Sequence, residues 1–198
     1  ALAPVPFSSS VYLFTETIIK YASEDIKKEI LPKLVSGECV GTLAVTEDLI
    51  APTEDNIGVT SVNDEVSGRK IAVPDAGVAT HAVVVCKGAN GIELRLVELN
   101  QENCISTNQE NIDESRGHFS LEFNKAKSQL IGEAGNGWEL LQSILNQAAV
   151  LFSFEQIGGA QASLDMANNY AKERFAFGRA IGSYPVSYTH LRAHETLL

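Results

Sequence analysis

The middle of the chain is a succession of short apolar runs separated by turn-forming residues, and this pattern constrains the possible folds most. The separating stretches are rich in Asn, Asp, Gly and Pro, and none has a helical apolar period. Strands at such spacing are typical of an antiparallel β-sandwich or small barrel. We therefore predict a middle β-domain over residues 39–131. The predicted strand runs are Cys39–Val45, Ile57–Val62, Lys70–Val73, Ala82–Cys86, Ile92–Leu99 and His118–Phe123.

The segment before the strands has a helical period. Apolar residues recur every three or four positions over Val11–Leu34, which predicts one buried helical stripe. Ser23 precedes two acidic residues and predicts an N-cap, and hence a break between two helices. Pro32 is expected to open a further short turn, and Gly37 to close the segment. We assign residues 1–38 to the end of an N-terminal helical domain.

The helical period returns after the glycine-rich stretch Gly132–Gly137, which predicts the start of a C-terminal helical domain over residues 132–186. Small residues at Gly158 and Gly159 would permit close helix approach. The predicted inward face is formed by Trp138, Leu141, Leu145, Ala148, Leu151 and Phe152. The predicted fold class is α+β, with helices, then an antiparallel β-domain, then the start of a helical bundle.

Composition excludes several functional classes. The chain of 198 residues has a formal net charge of −10, so we expect no nucleic-acid partner. Its longest apolar runs are too short for a membrane span. Three cysteines without a C-x-x-C pair favour a reducing compartment, and we expect a cytoplasmic protein without a zinc site. His81 and His118 have no ligand spacing, so we expect structural or solvent-facing roles for them.

Two short stretches are candidates for ligand binding. In Leu43–Glu47 a strand runs to its end, where backbone N–H groups and the Thr46 hydroxyl can hydrogen-bond a planar heterocycle. Arg174 and Phe177 are three residues apart and are predicted to share a helix face. A guanidinium beside an aromatic ring suits a phosphate-bearing ligand.

Taken together, these motifs resemble the acyl-CoA dehydrogenase family. The resemblance rests on the order helices–strands–helices, on Leu43–Glu47, on Gly135-x-Gly137-Trp138, and on Tyr170-Ala-x-x-Arg174-x-x-Phe177-Gly178. It extends from about Val11 to Pro185.

The resemblance implies a fold, a reaction and a cofactor. Members of this family carry out FAD-dependent α,β-dehydrogenation of an acyl-CoA thioester. The implied partners are therefore the acyl-CoA substrate, other subunits in a homo- or hetero-oligomer (dimer or tetramer), and an electron-transfer flavoprotein. By resemblance, the first stretch contacts the flavin ring, and the second reaches the FAD of a neighbouring subunit. The implied cofactor-binding residues are Leu43, Val45, Thr46, Arg174, Phe177 and Gly178.

The chain also departs from the family pattern. The loop Asp48–Asp55 lacks the glycines that usually follow the Thr-Glu element, and Ala72 and Pro74 stand where the family has an aromatic residue and a threonine. Family members place a catalytic carboxylate further along the C-terminal helices or, in a minority, at the helical stretch that corresponds to Asn146–Val150. That stretch has no acid here, and Glu155 lies a turn or more later. No residue of this chain is predicted to be the catalytic base.

Three interpretations stay open at this point. The first is a fragment of an acyl-CoA dehydrogenase, inactive alone and with its base outside the chain. The second is a non-catalytic, flavin-poor subunit that pairs with an active homologue. The third is an unrelated helix–sandwich–helix binding protein.

The last residues of the chain, 187–198, are predicted to be non-native. They resemble translated sequencing-adapter read-through and do not continue the family pattern. His190 and His194 are therefore excluded from metal-site reasoning, although their spacing of four would suit a helical pair.

Overall fold

The computed structural model describes residues 5–113, 116–187 and 189. The tail predicted to be non-native lies outside the described residues except for positions 187 and 189. The chain divides into two compact units, one with residues up to 149 and one from residue 150 onward.

The first unit opens with two helices, as the apolar period predicts. A π-helical stretch, Ser8–Thr15, leads directly into α1, Glu16–Tyr21, and α2 spans Glu24–Ser36. The Ser23 cap is confirmed, because its hydroxyl accepts a hydrogen bond from the Ile26 N–H and its backbone is extended. Gly37 ends α2 with a left-handed φ of 80°.

The predicted break at Pro32 is wrong. Pro32 lies inside α2, which runs without interruption through Ser36. The proline removes one backbone donor, but burial of Ile26 and Ile30 on the inner face of the helix favours its continuation.

Seven strands follow and form one sheet. Their bounds are β1 Gly41–Ala44, β2 Thr60–Val62, β3 Glu65–Pro74, β4 His81–Gly88, β5 Gly91–Glu98, β6 Cys104–Gln109 and β7 His118–Ile131. A short 3-10 helix, Glu54–Asn56, lies between β1 and β2. The turn between β2 and β3 has positive φ at both Asn63 and Asp64, as two-residue hairpins require.

The sheet closes into a barrel. One edge of β4 pairs with β1 and, further along, with β2, and its other edge pairs with β5. Strand β2 pairs with β3, β3 with β7, and β7 with β5, which completes the ring. Strand β6 is not part of this ring and pairs with the first part of β7, from His118 to Phe123.

The prediction of an antiparallel barrel needs one correction. Both β1 and β2 run parallel to β4, whereas the remaining pairings within the sheet are antiparallel. The long connection from Val45 to Val59 returns the chain to the same edge of β4 in the same direction. The mixed α+β fold class itself is confirmed.

The barrel interior is apolar with a few paired charges. Strand β4 is almost completely buried, because it lies between strands on both edges and is covered on both faces. The principal cluster comprises Ala44, Val59, Val66, Val73, Ala76, Ala82, Val84, Cys86, Val97, Leu121, Phe123 and Ala126.

The chain then enters α3, Gly137–Glu173, whose first part belongs to the first unit. In this first part the buried side chains are Leu141, Ile144 and Ala148, so Ile144 takes the inward position that the sequence assigned to Leu145, which is exposed. The Tyr21 hydroxyl donates to the Ser143 hydroxyl at 2.9 Å, and the Lys20 ammonium contacts the Gln147 amide oxygen. These contacts fix the start of α3 against α1.

The second unit contains the rest of α3 and a short hairpin. Strands β8, Phe175–Ala176, and β9, Arg179–Ala180, are antiparallel, and a 3-10 turn spans Ile181–Ser183. The Tyr184 hydroxyl donates to the Ala176 carbonyl at 2.9 Å, and the Arg179 guanidinium lies 3.9 Å from the centre of the Tyr184 ring. These contacts close the hairpin.

Candidate functional site

The first predicted site lies at the end of β1. Leu43 is buried in the strand, and Val45 and Thr46 are partly buried just after it. The Thr46 carbonyl accepts a hydrogen bond from the Ile71 N–H at 2.8 Å. The Thr46 hydroxyl makes no hydrogen bond to any residue that the structure describes. At the strand end the backbone of Thr46 is therefore fixed, while its side-chain hydroxyl is available to bind a ligand.

A buried ion pair holds the same segment. The ammonium group of Lys70, whose side chain is 0% exposed, donates to the Glu47 carboxylate at 2.6 Å and to the Val45 carbonyl at 2.8 Å. The carboxylate also accepts hydrogen bonds from the Gly58 N–H at 2.7 Å and the Val59 N–H at 3.1 Å. The segment 45–47 is thus tied to β3 and to the residues that precede β2.

Burial acts on the protonation of Lys70. Burial lowers the pKa of Lys70 from 10.5, while the hydrogen bond and the charge of Glu47 act in the opposite direction. This pair was not predicted from the sequence. The available signal was a lysine in a run of apolar strand residues, a position at which a charge needs a buried partner.

The second predicted site lies on the hairpin of the second unit, not on a helix. Helix α3 ends at Glu173, and Phe177 and Gly178 form the two-residue turn between β8 and β9, with φ of 52° and 82°. The prediction that Arg174 and Phe177 share a helix face is therefore wrong, because both turn residues adopt positive φ and reverse the chain.

The hairpin presents its site residues to solvent. The Arg174 side chain is exposed and forms no ion pair or hydrogen bond within the described part of the chain. Phe177 is 97% exposed, and Gly178 is exposed beside it. A guanidinium and a phenyl ring therefore stand at an exposed turn, an arrangement suited to an external phosphate-bearing group.

Comparison with known proteins shows what these elements belong to. The model of the acyl-CoA dehydrogenase C-terminal domain matches residues 135–196. An acyl-CoA dehydrogenase of Bacillus subtilis is 26% identical over 183 residues, which is 85% of this chain and 48% of the relative. The crystal structure of an acyl-CoA dehydrogenase from Geobacillus kaustophilus superposes with a TM-score of 0.86 at 26% identity, covering 93% of this chain and 53% of that one.

The chain is therefore similar to acyl-CoA dehydrogenases in sequence and in fold. It spans about half the length of the curated relatives that it matches. A glutaryl-CoA dehydrogenase from Mycobacterium smegmatis, solved in complex with FADH2, shares the fold with a TM-score of 0.86 at 21% identity. The family-model match extends to residue 196 and so overlaps the stretch predicted to be non-native, which stays a prediction.

Two positions at the end of β3 depart from the motif that the sequence resemblance implies. Ala72 lies in an irregular part of the β3–β7 ladder with a φ of 50°, and its N–H donates to the Gln109 side chain at 2.7 Å. Pro74 has no N–H, and its carbonyl accepts from the Thr42 hydroxyl at 2.6 Å. The end of β3 therefore supplies no side-chain hydroxyl at these two positions, and its one backbone donor there, the Ala72 N–H, is already hydrogen-bonded to Gln109.

The loop after Glu47 also has its own structure. Thr53 and Asn56 form a reciprocal capping box around the 3-10 turn. Before it, Leu49 is 96% exposed and Ile50 is also exposed. The loop is therefore a capped turn that carries exposed apolar side chains.

Other polar groups in the barrel lack the features of a reactive centre. The Cys39 thiol lies 3.5 Å from Nδ1 of His81. Burial raises the pKa of Cys39 and lowers the pKa of His81, so both stay neutral near pH 7. His118 contacts the Asn111 side chain at 2.7 Å. Among the described residues, no group of three or more His, Cys, Asp or Glu side chains could hold a metal ion.

A second buried ion pair lies on β5. Arg95 donates to the Glu93 carboxylate at 2.8 Å and to the Asp64 carboxylate at 2.6 Å. Burial acts to lower the pKa of Arg95, but its hydrogen bonds to Asp64 and Glu93 and the charges of these carboxylates raise the pKa overall. This pair ties β5 to the β2–β3 turn and shares no hydrogen-bond partner with Lys70.

In the part of the chain that the structure describes, no helix combines the length and apolar character needed to span a bilayer.

Proposed function

We propose that the complete protein catalyses FAD-dependent α,β-dehydrogenation of an acyl-CoA thioester, and that this chain supplies part of its flavin site. The observation that carries the proposal is the strand end at Thr46. Its backbone is fixed by the Ile71 N–H, while its partly buried hydroxyl has no partner among the described residues. A hydroxyl held in this way at a strand end is suited to a ring with hydrogen-bonding atoms at its edge.

The residues present fit FAD on two counts. The flavin ring needs a hydrogen-bonding edge and an apolar surface, which Thr46 and Val45 would supply, with Leu43 buried in the strand that precedes them. The pyrophosphate needs a cation, and the exposed Arg174 guanidinium has no competing acid partner within the described residues. We propose that Arg174, Phe177 and Gly178 reach the FAD of a neighbouring subunit, so the active protein is an oligomer.

When bound, FAD supplies the oxidising chemistry by accepting a hydride from the β-carbon of the acyl chain. The role of this chain is to bind and orient. Thr46 would fix the angle of the ring in its plane, and Val45 would cover one part of its surface. Arg174 would neutralise phosphate charge at an exposed turn, where Phe177 adds apolar contact.

We assign no catalytic base to the described residues. The acids of α3, Glu139, Glu155, Asp165 and Glu173, are all exposed, and none stands at the position where a minority of the family places its base. We propose that the base lies in another part of the complete protein. We also propose an electron-transfer flavoprotein as the electron acceptor, a role in acyl-CoA oxidation, and a cytoplasmic location consistent with the free cysteines.

The test is a visible spectrum of the complete gene product under anaerobic conditions. The proposal expects flavin absorbance that bleaches when a saturated acyl-CoA is added. A protein with flavin that no acyl-CoA of any chain length reduces would contradict the assigned reaction, and a colourless protein would contradict the flavin site as well.

A second candidate function is a flavin-poor subunit that pairs with an active homologue. The observation that favours it is the end of β3, where Ala72 and Pro74 offer the flavin no side-chain donor. This candidate keeps Arg174 as a contact to the partner's FAD and leaves its own flavin position empty. It predicts one FAD for each pair of unlike subunits, whereas the first proposal predicts one FAD for each subunit.

A further inference from the structure

The buried Lys70 is the feature that the proposed reaction leaves unexplained. A charged side chain with 0% exposure is costly to bury, and replacing a buried ion pair by apolar residues is often neutral or stabilising. Stability alone therefore gives little reason for a lysine at this position of β3. The hydrogen bonds of Lys70 indicate a different role.

Both of its acceptors flank one residue. The ammonium group donates to the Val45 carbonyl at 2.8 Å and to the Glu47 side chain at 2.6 Å, on either side of Thr46. The Thr46 carbonyl is held separately by the Ile71 N–H, the residue after Lys70. Three consecutive residues are thus fixed from β3, and only the Thr46 side chain is left without a partner among the described residues.

Glu47 also ties the strand end to the residues that precede β2. Its carboxylate accepts from the Gly58 and Val59 N–H groups, which follow the capped loop. Adding a Cβ to Gly58 would bring it to 3.0 Å from this carboxylate, so the fit is close. The position of the strand end therefore depends on one ammonium group and one carboxylate.

We propose that Lys70 is a positioning residue that holds the Val45–Glu47 backbone so that the Thr46 hydroxyl meets the flavin ring. This inference rests on the proposed flavin site. It assigns to Lys70 no contact with FAD or substrate. Its role is exerted through the Val45 carbonyl and through Glu47.

The test compares three variants of the complete protein. Lys70→Met removes the ammonium group, Thr46→Val removes the hydroxyl, and Arg95→Met breaks the other buried ion pair as a matched control. FAD affinity is measured by titrating apoprotein with FAD. We expect Lys70→Met and Thr46→Val each to weaken FAD binding by about tenfold, the scale of one hydrogen bond. The double variant, which combines Lys70→Met and Thr46→Val, should bind FAD at most about twofold more weakly than the single variant with the lower FAD affinity. The reason is that both substitutions act through one contact.

A second measurement does not depend on FAD. In apoprotein, amide hydrogen exchange at Ile71 should accelerate in Lys70→Met by at least about tenfold more than in Arg95→Met, because Lys70 secures the segment to which the Ile71 N–H donates. Arg95→Met should lose stability and yet bind FAD within about twofold of wild type.

The outcomes separate the two proposals. Wild-type protein that binds no FAD overturns the proposed function and, with it, the role of Lys70. If wild type binds FAD, normal affinity in Lys70→Met overturns the role of Lys70 alone. An equal loss of FAD affinity in Arg95→Met also overturns it, because that result describes a general loss of stability. Additive losses in the double variant overturn it as well, because they show that Lys70 does not act through Thr46.

Discussion

The ammonium group of Lys70 and the carboxylate of Glu47 lie 2.6 Å apart in the barrel, with side-chain exposures of 0% and 18%. The two residues are 23 positions apart in sequence and meet because the chain turns back as β3 beside β1. The pair fixes the strand end that carries Thr46, and it links the packing of the barrel to the proposed flavin contact.

The Lys70–Glu47 pair should show strong energetic coupling. Lys70→Met leaves a largely buried carboxylate with only backbone donors, and should lower the free energy of unfolding by about 3 kcal/mol. Glu47→Met should cost a similar amount, because it leaves a buried ammonium group unpaired. In urea denaturation, the double variant should lose at least about 1 kcal/mol less free energy of unfolding than the sum of the two single losses. Additive costs would show that the two residues act independently.

Gly41 should be intolerant of a methyl group. A Cβ at this position would overlap the fully buried ring of Phe14, so Gly41→Ala should lower the free energy of unfolding by about 1–3 kcal/mol. Gly158→Ala is the control, because no described atom lies within 4 Å of its added Cβ and alanine is favoured in a helix by about 1 kcal/mol. Thermal denaturation of both variants checks this, and a stabilised Gly41→Ala would contradict the packing of the first helix on β1.

The buried thiols should make the protein sensitive to alkali. Burial raises the pKa of Cys86 from 9.0 to about 12 and that of Cys104 to about 11. Above pH 9 the unfolded chain loses these protons while the folded chain keeps them, so the free energy of unfolding falls as pH rises from 9 toward 12. Each thiol contributes up to about 1.4 kcal/mol per pH unit.

The variant Cys86→Ala isolates one of these contributions. Its free energy of unfolding, measured by urea denaturation between pH 8 and pH 10.5, should fall less steeply than that of wild type. Equal slopes would mean that Cys86 ionises in the folded protein as readily as in the unfolded chain.

Arg174 should contribute to FAD affinity and not to the stability of the fold. Because its side chain is exposed and has no partner among the described residues, Arg174→Ala should change the free energy of unfolding by less than about 0.5 kcal/mol. FAD affinity of the complete protein should fall by at least about tenfold, since a charge-assisted bond to phosphate is lost. Arg179→Ala is the control on the same hairpin, because that guanidinium stacks on Tyr184 and is expected to leave FAD affinity unchanged.

Much of the fold could be predicted from local patterns. Apolar runs located β1, β4 and β5 closely, less than half of β3 and of β7, and β2 at the end of its predicted run, because buried strands have to be apolar on at least one face. Strand β6 was missed because its single large apolar residue, Ile105, is 57% exposed and the strand is held by backbone pairing with β7. Nothing in its own side chains distinguishes it from a loop.

The site was only partly predictable for the same reason. The strand end at Thr46 follows from a local run of residues, whereas the Lys70–Glu47 pair depends on how the barrel closes. The spacing of Arg174 and Phe177 predicted a helix face, but the backbone at Phe177 and Gly178 turns through positive φ and makes a hairpin. Local spacing cannot report a contact or a turn that tertiary structure determines.

The most direct test of the central claim is the amount of FAD bound per subunit in the purified complete protein. It can be measured from flavin absorbance after denaturation, together with protein concentration by amino-acid analysis. We predict one FAD per subunit in wild type. In Thr46→Val, a smaller dilution of the protein should be enough to release that FAD. One FAD per pair of subunits, or none, would contradict the claim that the Thr46 strand end of this chain binds flavin.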